Sequence, residues 1–344
     1  MQQGCDILAE KRGALGLLTL NRPQALNALT TDMVAAMAAS LAEWAADPEI
    51  RAVAVQGMGP RAFCAGGDIR MVRQSVLAGD GAGAQFLEQE YRLNAQIGAY
   101  PKPYIALMHG FVLGGGAGVS VHGCLRLADT DLSFAMPETG IGFIPDIGSS
   151  YFLSRCPGQL GLYLGLTGAR IGASDALAAG LVDKIMARGD FAPLLDRLAN
   201  GEEPGAVADG FARKPPAGEL LRRRCIDTAF AAPSVEAILE RLDRDGSDFA
   251  RAAAEMLRAR SPTSLKLVLR LLHGARGQSL KACLAMEYRL AMRVIESHDF
   301  REGVRAALVD KDRKPRWRPA SLAAVPQQDI DAAFAPLARE LFDD

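Results

Sequence analysis

Two carboxylates, Glu138 and Asp146, stand in a segment that is otherwise apolar or rich in glycine and proline, from Met136 to Gly148. Because water solvates a carboxylate poorly in such surroundings, we expect the pKa of each to rise toward values that suit acid–base catalysis. Two other interpretations are that Asp146 caps a helix beginning near Gly148 and that Glu138 is simply exposed.

A second candidate is the glycine-rich segment that follows a predicted strand at Tyr104–Met108. Four of the five positions 114–118 are glycine, which is costly at a helix start unless bare backbone is needed there. Free N–H groups at a helix N-terminus can bind an anion or an oxyanion. Close packing between helices, with Gly118 at the contact, is the structural alternative. The segment lacks Gly-Lys-Ser/Thr, which excludes a nucleotide P-loop.

The third candidate is a loop after the predicted strand Ala52–Val55. The spacing Gly57-x-Gly59-x-x-Ala62 matches a dinucleotide fingerprint, but it continues into a second glycine pair instead of opening directly into a helix. We favour a loop in which the small residues of Ala65-Gly66-Gly67-Asp68 let a ligand approach the main chain, with Asp68 capping the next helix. An ordinary turn between a strand and a helix is the alternative.

These segments need elements to position them, and the first 190 residues alternate short apolar runs with helical patterns. Strands separated by helices favour parallel pairing and right-handed crossovers, hence an α/β fold. A helix is predicted over 25–47, with Thr30 or Thr31 as its cap. The predicted strands are 15–20, 52–55, 104–108, 125–128, 132–135 and 182–185.

The character of the sequence changes near residue 200. Residues 200–216 mix glycine, proline and charge, which predicts a linker or an exposed loop, whereas the pattern over 220–308 is almost wholly helical. We therefore predict an α/β core over residues 1–200 that carries the site. The remaining residues, 201–344, are predicted to form a helical region that packs on the core or on neighbouring subunits.

The composition excludes several classes of protein. Of the 344 residues, 49% are hydrophobic, and 39 Lys and Arg nearly balance 40 Asp and Glu, so neither a disordered chain nor a nucleic-acid-binding protein is expected. No apolar run is long enough for a membrane span and no targeting segment is recognisable, which predicts a cytoplasmic protein. The six cysteines form no C-x-x-C pair, and the four histidines have no metal-binding spacing. We expect reduced, mostly buried thiols and no metal.

Taken together, these segments resemble the crotonase (enoyl-CoA hydratase/isomerase) superfamily. Its motifs occur in order within about residues 10–190: Asn21-Arg22-Pro23 followed by Leu26-Asn27-Ala28-Leu29, then Ala62-Phe63-Cys64-Ala65-Gly66-Gly67-Asp68, then Gly114-Gly115-Gly116. The resemblance implies a spiral of ββα units in a homo-oligomer, either a trimer or a hexamer. Later segments, among them Phe134–Thr139 and Met286–Leu290, look like the branch that hydrolyses short 3-hydroxyacyl-CoA thioesters.

The resemblance implies a role for the backbone at two positions. The N–H groups of Ala65 and Gly115 would polarise the thioester carbonyl of an acyl-CoA substrate. The stretch Ala65, Gly66, Gly67, Asp68 and Ile69 would also contact the adenine end of CoA. CoA enters as part of the substrate, and neither a metal nor a redox cofactor is implied.

The resemblance also implies substrate or catalytic roles for Glu90, Gly115, Glu138 and Asp146. Glu138 would act as base or nucleophile, Asp146 would bind the 3-hydroxyl or assist proton transfer, and Glu90 would help line the pocket. We expect the amides of Ala65 and Gly115 and the Glu138 carboxylate to converge on one point.

One departure from the hydratase pattern bears on the reaction. Hydratases of this family carry two glutamates, and the position of the first is Gly118 here, which offers no proton relay. Thioester hydrolysis needs only an oxyanion hole and one carboxylate. We therefore predict a hydrolase. The rivals are hydration or isomerisation of another acyl-CoA, and a non-catalytic acyl-CoA-binding protein.

Overall fold

The strands predicted from the first 190 residues assemble into two sheets. The computed structural model describes residues 5–215, 218 and 223–342. These residues form two units, each with its own internal contacts. The first unit comprises the described residues of Met1–Gly67, Arg92–Phe134 and Ile171–Glu219, and the second those of Asp68–Tyr91, Ala135–Arg170 and Leu220–Asp344. The division therefore interleaves segments of the chain and does not follow the predicted boundary at residue 200.

A six-stranded sheet forms the centre of the first unit, in the order β1-β2-β3-β5-β7-β10. β1 pairs antiparallel with β2, and the other neighbours are parallel. All six residues of β2 are buried, as expected for a parallel strand covered on both faces. The strands are β1 (Ile7–Arg12), β2 (Leu15–Leu20), β3 (Ala52–Gly57), β5 (Tyr104–Met108), β7 (Leu125–Asp129) and β10 (Lys184–Met186).

The second sheet has the order β4-β6-β8-β9. Its strands are β4 (Ala62–Cys64), β6 (Phe111–Leu113), β8 (Ser133–Ala135) and β9 (Ile171–Gly172). Each has three residues or fewer, which is too short for the alternation by which a strand is recognised in a sequence. Only β8 among them was expected, and β1 of the larger sheet was missed as well. The α/β fold that the sequence predicts is confirmed.

The helices of the first unit correct two sequence predictions. Helix α1 begins at Thr31, after a 3-10 turn, because Thr30 caps it by accepting the Met33 N–H at 3.2 Å. The predicted linker contains helix α9, which Glu203 caps and Pro204 starts, so the prediction of an irregular segment is wrong there; Pro216 lies outside the described residues. The helices are α1 (Thr31–Ala46), α4 (Gly115–Gly118), α7 (Ala173–Ala178), α8 (Phe191–Ala199) and α9 (Pro204–Phe211).

The second unit is built from helices, and α3 (Ala82–Gly98) contributes residues to both units. Its eight-residue helix α6 is buried at every position. Within the described ranges, no helix combines the length and apolar composition needed to cross a bilayer. The helices are α2 (Ile69–Ala78), α5 (Ser149–Leu153), α6 (Leu160–Thr167), α10 (Arg223–Phe230), α11 (Val235–Asp245), α12 (Asp248–Arg258), α13 (Pro262–Gly274), α14 (Leu280–Val294), α15 (His298–Val304) and α16 (Gln327–Ala333).

All six cysteines are free thiols, as the sequence predicts. Only half of them are fully buried, however: Cys64, Cys156 and Cys283. The expectation that most thiols are buried is therefore wrong, because Cys5 and Cys124 are exposed.

Candidate active site

In the first unit, one side chain anchors the loop that leads to the Ala65-Gly66-Gly67 segment. Asn27 is fully buried and has a left-handed backbone with φ +56°. Its Nδ2 donates to the carbonyls of Met58, Ala62 and Phe63 at 2.9, 2.9 and 3.1 Å, and its Oδ1 accepts the Arg22 N–H at 3.0 Å. The motif residue Asn27 thus fixes the course of the main chain before and within β4.

The amide of Ala65 is not available as an oxyanion donor. Its N–H already donates to the Leu26 carbonyl at 3.0 Å, which corrects the role that the family resemblance implied. The Gly66 carbonyl accepts the Leu29 N–H at 2.8 Å. Because C=O and N–H point in opposite directions across a trans peptide, the N–H of Gly67 points away from Leu29.

The glycine-rich segment lies beside this loop. Gly114 has φ +45° and ψ −121°, a conformation that glycine adopts most readily, and α4 begins at the next residue. An added Cβ on Gly116 would stand 2.3 Å from the Cys64 carbonyl oxygen, and one on Gly66 would stand 3.8 Å from the Gly115 nitrogen. The glycines therefore permit close approach of two backbone segments. The N–H of Gly115 is at the first helical position, where it lacks an acceptor within the helix.

Asp68 and Ile69 belong to the second unit and begin α2. The Asp68 carboxylate accepts the Met71 N–H at 3.3 Å, which confirms the predicted cap. A contact of this stretch with CoA stays a prediction.

The second unit buries four carboxylates that the sequence scatters over two hundred residues: Glu90, Glu138, Asp146 and Glu287, with exposed fractions of 2%, 7%, 5% and 0%. Burial is the main cause that raises the pKa of each of them. The charge of Asp146 further raises the pKa of the three glutamates. Among the described residues, no three His, Cys, Asp or Glu side chains are grouped to hold a metal ion.

Glu138 begins a short 3-10 helix, Glu138–Ile141, whose backbone is firmly held. The Glu138 carbonyl accepts the Phe143 N–H at 3.0 Å, and the neighbouring hydroxyl of Thr139 donates to the Leu166 carbonyl at 3.1 Å. The turn closes at Gly142, where an added Cβ would stand 2.2 Å from the Asp299 carbonyl oxygen. The carboxylate Oε2 has no hydrogen-bond partner among the described residues. The interpretation of Glu138 as an exposed side chain is therefore wrong.

Asp146 has a defined partner. The Tyr91 hydroxyl donates to its Oδ2 at 2.6 Å. Burial raises the pKa of Asp146 to about 7, although the Tyr91 hydrogen bond acts in the opposite direction. The Asp146 side chain does not cap α5, because that helix begins after Gly148 without a cap from its own segment. A carboxyl with this pKa can exchange a proton near neutral pH.

Glu287, on α14, makes the hydrogen bonds to the start of α5 that one interpretation of the sequence gave to Asp146. Its carboxylate accepts the N–H groups of Gly148 and Ser150 at 2.6 and 2.7 Å and the Ser150 hydroxyl at 2.5 Å. Sequence reasoning missed this role because Glu287 lies 137 residues beyond Ser150. The pattern of apolar and polar residues in α14 is also that of any half-exposed helix, so nothing in it singles out Glu287.

Glu90, on α3, is the fourth carboxylate. Its Oε1 has no hydrogen-bond partner among the described residues. Burial, followed by the charge of Asp146, raises the pKa of Glu90 well above its ordinary range. The sequence pattern alone is that of a solvated helix charge, and only the family resemblance singled this residue out.

The buried carboxyls make folding dependent on pH. Because their pKa values are higher in the folded chain than in the unfolded one, their stabilising effect is complete below the unfolded pKa values and is lost as pH rises. For Asp146 and Glu287, with folded pKa values of about 7 and about 8, the loss falls between about pH 4 and pH 8, at about 1.4 kcal/mol per pKa unit. We expect Tm, followed by circular dichroism, to fall between about pH 5 and pH 8, with a shallower fall in Asp146→Asn. A Tm that is flat or rises over this range would contradict the assignment.

Comparison with known proteins identifies the family. The family model for enoyl-CoA hydratase/isomerase matches residues 15–334. The chain belongs to this family. Among members with assigned activities, the mitochondrial 3-hydroxyisobutyryl-CoA hydrolase of Danio rerio is 43% identical over 348 residues, covering 97% of this chain and 90% of the relative. The Homo sapiens protein of the same name is 40% identical, covering 96% and 89%.

Solved structures of the same family share this fold. A carnitinyl-CoA dehydratase from Mycobacterium thermoresistibile has a TM-score of 0.94 at 42% identity, covering 98% of this chain and 99% of that chain. An enoyl-CoA hydratase from Rhodobacter sphaeroides has a TM-score of 0.93 at 39% identity, covering 98% and 100%. The names of relatives at about 40% identity thus include a hydrolase, a dehydratase and a hydratase.

Proposed function

We propose that the chain hydrolyses short 3-hydroxyacyl-CoA thioesters, and 3-hydroxyisobutyryl-CoA first, to 3-hydroxyisobutyrate and CoA, a step of valine breakdown. The substrate follows from the hydrolase relatives at 40–43% identity over nearly the whole chain. One observation supports catalysis by Glu138. Its side chain is buried on a rigid turn, and one of its carboxylate oxygens has no hydrogen-bond partner among the described residues. The reaction needs no cofactor beyond the CoA of the substrate.

In this proposal, backbone amides polarise the thioester carbonyl. Gly115 supplies one N–H, and Gly67 takes the place first given to Ala65, because the Ala65 N–H is bound to Leu26. Negative charge that develops on the carbonyl oxygen is stabilised by such donors without reorganisation, at about 3–4 kcal/mol for each one.

Glu138 then acts in one of two ways. As general base it takes a proton from water, whose oxygen bonds to the carbonyl carbon while the C–S bond breaks and the thiolate leaves with a proton. As nucleophile its oxygen bonds to the carbonyl carbon while the C–S bond breaks and the thiolate leaves with a proton. Water then hydrolyses the resulting anhydride to the hydroxy acid and the free Glu138 carboxylate. A raised pKa suits proton transfer near neutral pH, and burial, followed by the charge of Asp146, raises the pKa of Glu138. Asp146 binds the 3-hydroxyl or assists the proton transfer, and Glu90 contacts the acyl group.

Hydration of an enoyl-CoA is the second candidate, because the two solved structures at 42% and 39% identity are named a dehydratase and a hydratase. Gly118 argues against it, since a glycine at the last position of this buried helix supplies no proton relay. The test is to assay thiol release from 3-hydroxyisobutyryl-CoA beside hydration of crotonyl-CoA. Thiol release without hydration supports hydrolysis, and the reverse refutes it. CoA binding with neither activity would identify a non-catalytic acyl-CoA-binding protein.

Tyr91→Phe tests the role of Asp146. The variant removes the hydroxyl that stabilises the Asp146 anion, so the pKa of Asp146 should rise further. We expect the acid limb of the kcat/KM profile to move to higher pH by about one unit, the shift that corresponds to a typical net hydrogen bond. Steady-state rates between about pH 5 and pH 9 measure it. A limb that stays in place would show that Asp146 is not the titrating group.

The proposal extends to assembly and location. We propose a trimer or hexamer, on the strength of the family resemblance, and light scattering of the purified chain measures the mass. A cytoplasmic location is proposed from the sequence, whereas the curated relatives are named mitochondrial. Fractionation of cells that make the tagged chain distinguishes the two.

A further inference from the structure

The corner directly after Asp146 has an unusual backbone. Ile147 has φ +59° and Gly148 has φ +80°. A left-handed conformation is rare for a β-branched residue and costs about 1–3 kcal/mol unless the surroundings enforce it. Ile147 is also fully buried. The direction of the Asp146 side chain therefore depends on whatever holds this corner.

Glu287 is the side chain that holds it. The carboxylate is fully buried, and its two oxygens accept the N–H of Gly148, the N–H of Ser150 and the hydroxyl of Ser150. All three donors are neutral, and the two carboxyl oxygens offer enough lone pairs to accept all of them. Ser149 N–H in turn donates to the Asp146 carbonyl at 2.9 Å. The Glu287 carboxyl is thus used to bind the backbone of the corner.

The same helix supports Asp146 from a second side. Tyr288 follows Glu287 on α14, and its ring packs edge-on against Tyr91 with 6.1 Å between centroids. Tyr91 is the residue whose hydroxyl donates to the Asp146 carboxylate. Two successive residues of α14 therefore support both the backbone and the hydrogen-bond partner of Asp146.

We propose that Glu287 is a positioning residue that acts on the reaction through Asp146. This inference rests on the proposed hydrolysis and deepens it, because it adds a buried carboxylate that touches no substrate yet fixes the one that does. A displacement of about 1 Å in a reacting group can cost about 10²-fold in rate. Loss of Glu287 is therefore expected to reproduce the defect of losing Asp146 itself.

The test is a double-mutant cycle with Glu287→Gln and Asp146→Asn. Glu287→Gln keeps the side-chain length but turns an amide NH₂ toward one of the backbone donors, and we expect kcat/KM to fall about 10²-fold. If Glu287 acts through Asp146, the double variant should be no slower than Asp146→Asn alone. Multiplied losses in the double variant would overturn the proposal.

A pH profile separates positioning from a merely structural role. The titratable groups around Asp146 are Tyr91, Glu90, Glu138 and Glu287. Loosening the corner lets water solvate the Asp146 carboxyl and favours its ionised form, so the acid limb of kcat/KM should move to lower pH. Simple weakening of the fold reduces the amount of active enzyme without moving this limb. An unmoved limb would therefore refute the proposal.

Controls keep both tests decisive. Rates are normalised to the folded fraction measured by near-UV circular dichroism, and Met286→Leu, a half-buried neighbour on α14, should leave kcat/KM unchanged. If Glu287→Gln does not fold, Ser150→Ala replaces it in the cycle, with a smaller coupling of the same sign expected. The wild-type chain is assayed first, and the cycle uses whichever acyl-CoA conversion it catalyses. Failure of hydrolysis and failure of the Glu287 proposal are thus distinguished.

Discussion

Glu138→Gln is expected to lower turnover by about 10²–10⁴-fold while leaving CoA binding intact. Glutamine has nearly the same shape as glutamate but can neither accept a proton from water nor attack the thioester. The 3-10 helix that carries residue 138 is held by backbone contacts and by Thr139, so the substitution should not disturb it. Thiol release measures turnover, and isothermal titration with CoA measures binding.

The stability of this variant separates catalysis from folding. Because burial and the charge of Asp146 raise the pKa of Glu138, the wild-type chain loses stability as this carboxyl ionises, and the variant does not. We expect a Tm at about pH 8 equal to or above that of the wild type. Glu296→Gln, an exposed glutamate of the same unit, is the matched control and should change neither value. Unchanged turnover in Glu138→Gln would remove Glu138 from the mechanism.

Gly115→Pro should lower kcat about 10²–10³-fold relative to Gly115→Ala, which is the usual effect of losing one oxyanion donor. Proline at this position removes the N–H, and the first position of a helix tolerates proline because its N–H has no intrahelical acceptor. Gly115→Ala keeps the N–H and controls for the added side chain. The measurement is kcat from thiol release, with Tm as the check on folding.

The same pair of substitutions at Gly67 identifies the second donor. Gly67→Pro should resemble Gly115→Pro, and Gly67→Ala should retain the donor. Equal rates for the proline and alanine variants at either position would show that its amide does not stabilise the transition state.

Local features of the sequence predicted local structure well. Asp68 caps α2 and Thr30 caps α1, as their residue types and positions indicate. The apolar strands β2, β3 and β5 lie at the predicted positions because a strand of a sheet covered on both faces is almost uniformly apolar. Such signals need only a few neighbouring residues.

The missed features depend on partners that are distant in the chain. The Ala65 amide is occupied by Leu26, thirty-nine positions earlier, and no property of Ala65 itself announces that hydrogen bond. Glu287 binds the corner at Gly148–Ser150 across some 140 positions. Both facts bear directly on the site. Residue types and the family resemblance therefore indicated candidate groups, whereas assignment of individual donors and supports required the three-dimensional arrangement.

Asn27 has a consequence for how genomes are surveyed. The Asn-Arg-Pro and Asn-Ala-Leu letters are the easiest signature to find in such a chain, yet the Asn27 amide satisfies three carbonyls and performs no chemistry. A search keyed to those letters collects the scaffold whatever reaction it supports. Sorting candidates by the acids at positions 90, 138, 146 and 287 would instead select chains that carry the buried carboxyls on which the proposed hydrolysis depends.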